Sequence, residues 1–181
     1  GSASEPAATK AYRVLEHMIV TLELAPASFV TEGALIEKLA LGRTPVREAI
    51  QRLAWEGLLD VRPRAGIAIA PLHPGDWLRV LDARRGVEVV LARSAARFVT
   101  REAADMFHDA ALAMQKAVIS GNVLAFIQAD KALDEALALA ADNPFAARLA
   151  APLQTHSRRF WFRYKADTGL AESAEHHVAL I

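Results

Sequence analysis

The sequence of 181 residues contains no cysteine, which excludes disulfide bonds and thiolate metal sites. Any metal ligands must come from aspartate, glutamate and histidine. Glycine and proline are scarce, at 9 and 8 residues, which is atypical of disordered chains. No apolar run approaches the roughly 20 residues that a membrane-spanning helix needs, and no signal peptide is recognisable. We therefore expect a cytoplasmic protein that does not contact membranes.

The chain also lacks an excess of either charge. Its 21 basic and 21 acidic residues give a formal net charge of 0, so the molecule as a whole is not a nonspecific polyanion binder. Any affinity for nucleic acid must be local. The apolar fraction of 53% is high enough for one or two small globular domains with real cores.

A helix of about three turns is predicted within the segment TPVREAIQRLAWEG. Thr44 can cap its N-terminus, Pro45 suits the first helical position, and Gly57 suits the residue after its C-terminus. Apolar side chains recur at spacings of three and four and form one stripe, made of Val46, Ala49, Ile50, Leu53 and Ala54. The opposite face is polar and basic.

A shorter helix precedes this one closely. Thr31 can cap residues 32–39, and only residues 40–43 separate the two helices. The inward positions of the first helix would be Ala34, Leu35 and Leu39. Two helices joined this tightly form a helix-turn-helix.

Two short β-prone runs follow, at residues 58–62 and 67–71, around Pro63-Arg64-Ala65-Gly66. They predict a β-hairpin with a basic tip, which would be the wing of a winged helix-turn-helix. Apolar residues at helical spacing between positions 11 and 22 predict a further helix packed behind the pair.

In this geometry the second helix of the pair enters the major groove of DNA through its N-terminal residues. Arginine there can form two hydrogen bonds with guanine, and the helix N-terminus favours a phosphate. We predict that these residues contact DNA: Arg43, Thr44, Pro45, Arg47, Gln51, Arg64 and Gly66. Because this surface is only mildly basic, we expect a homodimer that reads a palindromic operator. The alternative is a helical hairpin whose arginines lie on a solvated face.

From residue 76 onward the sequence shows no convincing strand. Helices are predicted at residues 76–99, 101–120, 123–141 and 145–165, with a fragment at 172–181, and Pro152 should kink or split the fourth. The fold class is thus mostly α, with an N-terminal winged helix-turn-helix of three helices plus a β-hairpin and an all-α antiparallel bundle. We predict four divisions of the chain. Residues 1–8 are a tag remnant and flexible N-terminus, and residues 9–72 are the winged helix. Residues 73–75 are a linker, and residues 76–181 are the bundle.

The first bundle helix places Arg84 and Glu88 on its apolar line, which comprises Trp77, Leu81, Leu91, Ala95 and Phe98. A buried arginine is costly unless it is paired, and Glu88 lies one turn away. Two interpretations stay open, a structural ion pair and an arginine that awaits an anionic ligand. His156, with Arg163 on the same line, is a further candidate effector contact, and core packing is its alternative.

The third bundle helix places Asp130 in the middle of its apolar arc and Asp134 at the side. Two carboxylates one turn apart on a buried face repel unless they are protonated or bound to a cation, so they indicate a metal or polar-ligand site. Alternatively, Asp134 is a surface acid that reaches Lys131.

The string LALGRTPVREAIQRLAWEGLLDVRPRAGIAI is similar to the DNA-binding domain of GntR-family bacterial transcription regulators. RTPVREA is the most recognisable part, and the resemblance covers about residues 12–72. Gly42 stands where the family usually has serine, a departure expected to loosen the turn and to remove a hydroxyl that contacts phosphate.

The bundle resembles the all-helical effector domain of the FadR branch of that family, the FCD domain. The motifs are R-x-x-x-E at 84–88, D-x-x-L-D at 130–134, D-N-P at 142–144 and E-H at 175–176. The resemblance implies a divalent metal beside a small carboxylate effector, with Asp130 and His176 at ligand positions and Asp134 where histidine is usual. The last ligand and the final helix of the family would fall after Ile181, and an oxygen-rich set suits a harder cation than zinc.

These observations predict a transcription regulator, not an enzyme, whose operator binding is controlled by a small anionic metabolite in the bundle. One alternative is a metal-dependent hydrolase that uses Asp130, Asp134 and His176 to activate water, although no nucleophile or general base has persuasive spacing. Another is a constitutive DNA-binding dimer with no effector.

Overall fold

The computed structural model describes residues 4–165, which contain seven helices and three strands. The chain divides into two compact units, Gly1–Pro74 and Gly75–Ile181. Within the described part, no helix combines the length and the apolar character needed to cross a membrane. The mostly α fold class is confirmed.

The first unit contains three helices and a small sheet. In chain order these are α1 (Ala7–Val20), β1 (Phe29–Val30), α2 (Glu32–Leu39), α3 (Arg43–Trp55), β2 (Leu59–Arg62) and β3 (Gly66–Ile69). The strands are antiparallel in the order β1-β3-β2, and Leu59 pairs with Ile69 across the predicted hairpin. Strand β1 was not predicted, because two residues are too few to show an alternating pattern.

The core of the first unit forms where α3 packs on α1. The predicted stripe of α3 is buried at Val46, Ala49, Ile50 and Leu53, and Leu15 and Ile19 of α1 are fully buried in the same cluster. The inward assignment of Ala34 is wrong, since this residue is exposed. Helix α2 instead uses Leu35, which is buried, and its partly buried neighbours Ile36 and Leu39.

Two helix starts in the first unit differ from the predictions. Helix α3 begins at Arg43, with Gly42 as its N-cap and no side-chain cap, so Thr44 does not cap it. Pro45 fits the first turn because N–H groups there have no acceptor within the helix. Helix α1 begins at Ala7, inside the stretch interpreted as a flexible N-terminus. By contrast, Thr31 caps α2 as predicted, accepting from the Ala34 N–H at 3.1 Å.

The second unit is helical throughout its described residues. Its helices are α4 (Pro74–Phe98), α5 (Arg101–Ser120), α6 (Val123–Ala141) and α7 (Pro144–Lys165). Three of the helix starts have side-chain caps, from Thr100, Asn122 and Asn143. Helix α4 includes two residues of the predicted linker, and its terminal Phe98 is exposed rather than inward.

Helix α7 contains Pro152 and continues through it. The predicted split at this residue is therefore wrong. Proline removes one N–H donor from the helix. Helix α7 buries apolar and polar residues on both sides of Pro152, from Ala146 to Phe160, and this packing holds the helix together despite that loss. The predicted fragment at 172–181 lies outside the described residues.

Candidate functional site

The start of α3 presents an exposed polar face. Arg43, Thr44, Arg47 and Gln51 are all exposed, and Pro45 is half-buried beside them. They are displayed because the apolar stripe of α3 holds the opposite side of the helix in the core. Two guanidinium groups and a helix N-terminus on one solvent-facing surface can receive phosphate or base acceptors.

Arg47 already has a partner in this unit. Its Nε donates to Oε1 of Glu32 at 2.8 Å, and the Arg47 side chain is 55% exposed. Glu32 is the first residue of α2, 15 positions earlier in the chain, so no local sequence signal could reveal the pair. An acceptor on DNA would compete with this carboxylate for the guanidinium.

The tip of the wing depends on two residues with positive φ. Arg64 has φ 64° in the loop between β2 and β3, and its side chain is exposed. Gly66 has φ 98°, and a Cβ at this position would come within 3.0 Å of the Val30 carbonyl oxygen. Gly66 therefore shapes the hairpin against β1, because a side chain here would be strained by the positive φ and crowded against Val30.

A polar cluster joins α1 to the C-terminal end of α3. The Tyr12 hydroxyl lies 2.7 Å from a carboxylate oxygen of Glu16 and 2.7 Å from one of Glu56. The hydroxyl has one proton, so it can donate to only one carboxylate at a time. The Arg52 guanidinium carbon lies 3.6 Å from the centre of the Tyr12 ring. Burial, followed by the charge of Glu16 and the hydrogen bond to Glu56, raises the pKa of Tyr12 above its ordinary value.

In the second unit, Arg84 pairs with Glu88, which is one of the two interpretations that the sequence left open. Arg84 donates from Nε and Nη2 to Oε1 of Glu88 at 3.1 and 2.8 Å. Its Nη1 donates to Oγ of Ser157 at 2.9 Å, and Gln154 Nε2 donates to the same Glu88 oxygen at 3.0 Å. Burial alone would lower the pKa of Arg84, but the hydrogen bond and charge of Glu88 raise it overall. Arg84 thus links α4 to α7.

Asp130 and Asp134 lie beside a second buried arginine that sequence reasoning missed. Arg158 Nη1 is 2.6 Å from Oδ2 of Asp134 and 3.6 Å from Oδ2 of Asp130. Burial, then the charge of Asp130, raises the pKa of Asp134 to about 7 against the opposing effect of Arg158 and Arg84. A signal for Arg158 was present, since spacings of four and three place it on one helical face with Gln154 and Trp161.

A cavity of about 40 Å³ lies among α4, α6 and α7, which is room for a few water molecules. Its lining combines two guanidinium groups, a hydroxyl and a carboxylate with apolar and aromatic side chains: Arg84, Arg158, Ser157, Asp130, Phe126, Ile127 and Trp161. Such a lining can hold a small anion by hydrogen bonds to the arginines.

Other predicted site residues are placed elsewhere. Arg163 is exposed, with its guanidinium carbon 5.5 Å from the centre of the Tyr164 ring, and does not line the cavity. His156 is half-buried and is also not part of the lining. His176 lies outside the described residues. Within residues 4–165, no three His, Asp or Glu side chains are grouped as a metal site, so the ligand assignment of Asp130 and Asp134 gains no support.

Two families match the chain. Residues 7–69 match the bacterial regulatory proteins of the gntR family, and residues 79–181 match the FCD domain. An HTH-type transcriptional regulator in an unstable DNA locus of Streptomyces ambofaciens is 41% identical over 73 residues, which is 40% of this chain and 30% of that protein. The HTH-type transcriptional repressor RspR of Escherichia coli K12 is 31% identical over 102 residues, which is 54% of this chain and 42% of the repressor. The matched region thus spans less than half the length of these curated relatives.

Among solved structures, Escherichia coli McbR/YncC has a TM-score of 0.81 to this chain at 19% identity. The match covers 95% of this chain and 81% of the other, and at this identity it establishes a shared fold. The gntR match is to bacterial regulatory proteins, both curated relatives are HTH-type transcriptional regulators, and the hydrolase alternative is not favoured.

Proposed function

Because the chain belongs to the GntR family of bacterial regulatory proteins and carries an FCD domain, we propose that its first unit binds a DNA operator under control of a small anionic metabolite bound in its second unit. It is a transcriptional regulator rather than an enzyme. We also propose that it acts in the cytoplasm as a homodimer on a palindromic operator.

The observation that carries the DNA proposal is the exposed start of α3. Arg43 and Arg47 face solvent on a helix whose other face is fixed in the core, which is the arrangement that a recognition helix needs. Arg64 at the tip of the hairpin supplies a charge for the phosphate backbone or the minor groove.

The dimer proposal follows from charge. The whole chain has a formal charge of 0, so attraction to DNA depends on a few local arginines. Two copies would double the phosphate contacts and would read two half-sites separated by one helical turn or a multiple of it.

The effector proposal is supported by the cavity of the second unit. Arg84 and Arg158 both line it, and both guanidinium groups are mostly buried, with side-chain exposures of 18% and 7%. In this setting charge-assisted hydrogen bonds to a carboxylate are strong. The small volume supports a ligand of few atoms, or one whose carboxylate displaces Asp134 or Glu88 from an arginine.

Replacing Arg47 with alanine tests the DNA proposal. The exposed side chain contributes little to packing, so the melting temperature should stay nearly unchanged. Specific operator binding in a gel-shift assay should weaken by about 1–3 kcal/mol for each copy that loses a base-reading contact, so by about 2–6 kcal/mol, or at least roughly 30-fold, for the proposed dimer. Operator binding of the alanine variant at wild-type strength would contradict the assignment.

Lys38→Ala is the matched control. It also removes one exposed cation from the first unit, but from the C-terminal end of α2, where Lys38 pairs with Glu23 at 2.8 Å. It should bind the operator like the wild type. Glu32→Gln should act in the opposite direction from Arg47→Ala, because it removes the carboxylate that competes with DNA for Arg47.

A further inference from the structure

Asp130 and Asp134 form a buried acidic pair on α6. Their side chains are 14% and 15% exposed, and Asp134 lies one helical turn after Asp130. Two carboxylates in this position repel each other unless a cation or a proton compensates one of them. The nature of that cation therefore decides what kind of site this is.

Arg158 supplies a positive charge to both carboxylates. Its Nη1 reaches Asp134 at 2.6 Å and Asp130 at 3.6 Å, and the Arg158 side chain is only 7% exposed. In addition, Nη2 of Arg84 lies 4.0 Å from Oδ1 of Asp134. The acidic pair thus lies beside two guanidinium groups that belong to the protein, one from α7 and one from α4.

A divalent metal does not fit this arrangement. Calcium or magnesium needs about six or more oxygen ligands at roughly 2.0–2.6 Å, and an ion held by both aspartates would lie close to the Arg158 guanidinium that already contacts them. The guanidinium of Arg158 would then be buried beside an ion of charge +2, with Arg84 also close. Like charges at such distances in a buried site are strongly unfavourable.

We propose that Arg158 replaces the divalent cation that the family resemblance implies at this position, so that the second unit holds Asp130 and Asp134 without a metal. The guanidinium joins α6 to α7 as a metal ion would, but it is covalently part of the chain. The proposal depends on neither DNA binding nor effector binding, because it is tested with metal alone.

The presence of Arg158 in place of a metal ion also changes which ligand groups the cavity can bind. A metal ion would offer open coordination positions to a ligand, whereas Arg158 offers N–H donors with fixed directions. An anion in the cavity would therefore be held by guanidinium hydrogen bonds from Arg158 and Arg84, both of which line it. Binding of such an anion should be unaffected by chelators.

The test measures Mn²⁺ binding to the full chain after chelator treatment, by elemental analysis and by the change in melting temperature. The wild type should bind no Mn²⁺ through Asp130. Its Mn²⁺ content, and the change in its melting temperature on adding Mn²⁺, should therefore equal those of Asp130→Asn. Arg158→Met should gain Mn²⁺ binding, seen as an upward shift in melting temperature, because it removes the positive charge that occupies the space beside Asp130 and Asp134. Arg148→Met, which removes an exposed arginine from the same helix, should behave like the wild type.

Two results would overturn the proposal. The first is a wild-type chain that holds about one metal ion which is lost in Asp130→Asn. The second is an Arg158→Met chain that is folded by circular dichroism and still binds no Mn²⁺. Should Arg158→Met fail to fold, the comparison of the wild type with Asp130→Asn decides alone.

Discussion

Tyr12 should make the first unit sensitive to alkaline pH. Its hydroxyl is held between Glu16 and Glu56, which favour the protonated form and raise its pKa. An unfolded tyrosine ionises near pH 10, so the stability contributed by neutral Tyr12 is fully present below about pH 10 and declines as the pH rises further. The decline should approach about 1.4 kcal/mol per pH unit.

Urea unfolding of the wild type and Tyr12→Phe between pH 9 and pH 11.5 measures this effect. The phenylalanine variant should be less stable at pH 7 by about 1–2 kcal/mol, because a buried hydrogen bond to a carboxylate is lost. It should also lose stability less steeply above pH 10, and the two curves should converge. Parallel curves would show that Tyr12 ionises as easily in the folded chain as in the unfolded one.

Residue pairs close in sequence were predictable, and distant pairs were not. The contact of Arg84 with Glu88 follows from their separation by four positions in one helix. The contact of Arg158 with Asp134 joins two helices, and Tyr12 meets Glu56 across 44 positions. Such partners depend on how helices pack, which local periodicity does not encode. The spacing of residues in the sequence nevertheless indicates that the helical face with Arg158 points inward.

At the scale of elements, the sequence predicted helices best where caps mark both ends. Residues 101–120 and 123–141 match α5 and α6, because Thr100 and Asn122 cap the starts and Gly121 ends α5 with a positive φ. The start of α3 was mistaken because Thr44 is a good capping residue in a segment where glycine takes that position. Strand β1 forms only through pairing with β3, so it has no signal of its own.

Replacing Gly42 with serine should improve the start of α3. The N-cap has φ −65° and ψ 161°, which any residue adopts, and a new Cβ would meet Pro45 Cδ at 3.6 Å, an ordinary contact. The hydroxyl could accept from the N–H of Thr44, and the unfolded chain would lose conformational freedom. The free energy of unfolding should rise by about 0.5–1 kcal/mol, measured by urea denaturation.

Gly42→Ala separates the two contributions. Alanine reduces the freedom of the unfolded chain but brings no hydroxyl, so the Gly42→Ser variant should have a higher free energy of unfolding than the Gly42→Ala variant. Only serine should also strengthen operator binding in a gel-shift assay, through the phosphate contact that the family resemblance implies. Equal behaviour of the two variants would mean that the hydroxyl neither caps α3 nor reaches DNA.

On the scale of the whole molecule, regulation requires that a ligand in the second unit change the operator affinity of the first. Such coupling is reciprocal: if a ligand weakens operator binding tenfold, about 1.4 kcal/mol, the operator must weaken ligand binding by the same factor. A ligand that binds both states equally shifts nothing, however tightly it binds. This reciprocity distinguishes control by an effector from an indirect effect of added salt or acid.

A panel of small carboxylates such as acetate, lactate and succinate, added at constant ionic strength and pH, provides the test. A ligand that raises the melting temperature should change the affinity of the protein for the operator, measured by fluorescence anisotropy. The operator should change the affinity of the protein for that ligand by the same factor, measured by calorimetry. Arg84→Gln should keep operator binding but lose the response, because a guanidinium that lines the cavity is removed. Arg85→Gln, whose side chain is 83% exposed beside it, should respond like the wild type. An equal response in both variants would place the effector outside this cavity.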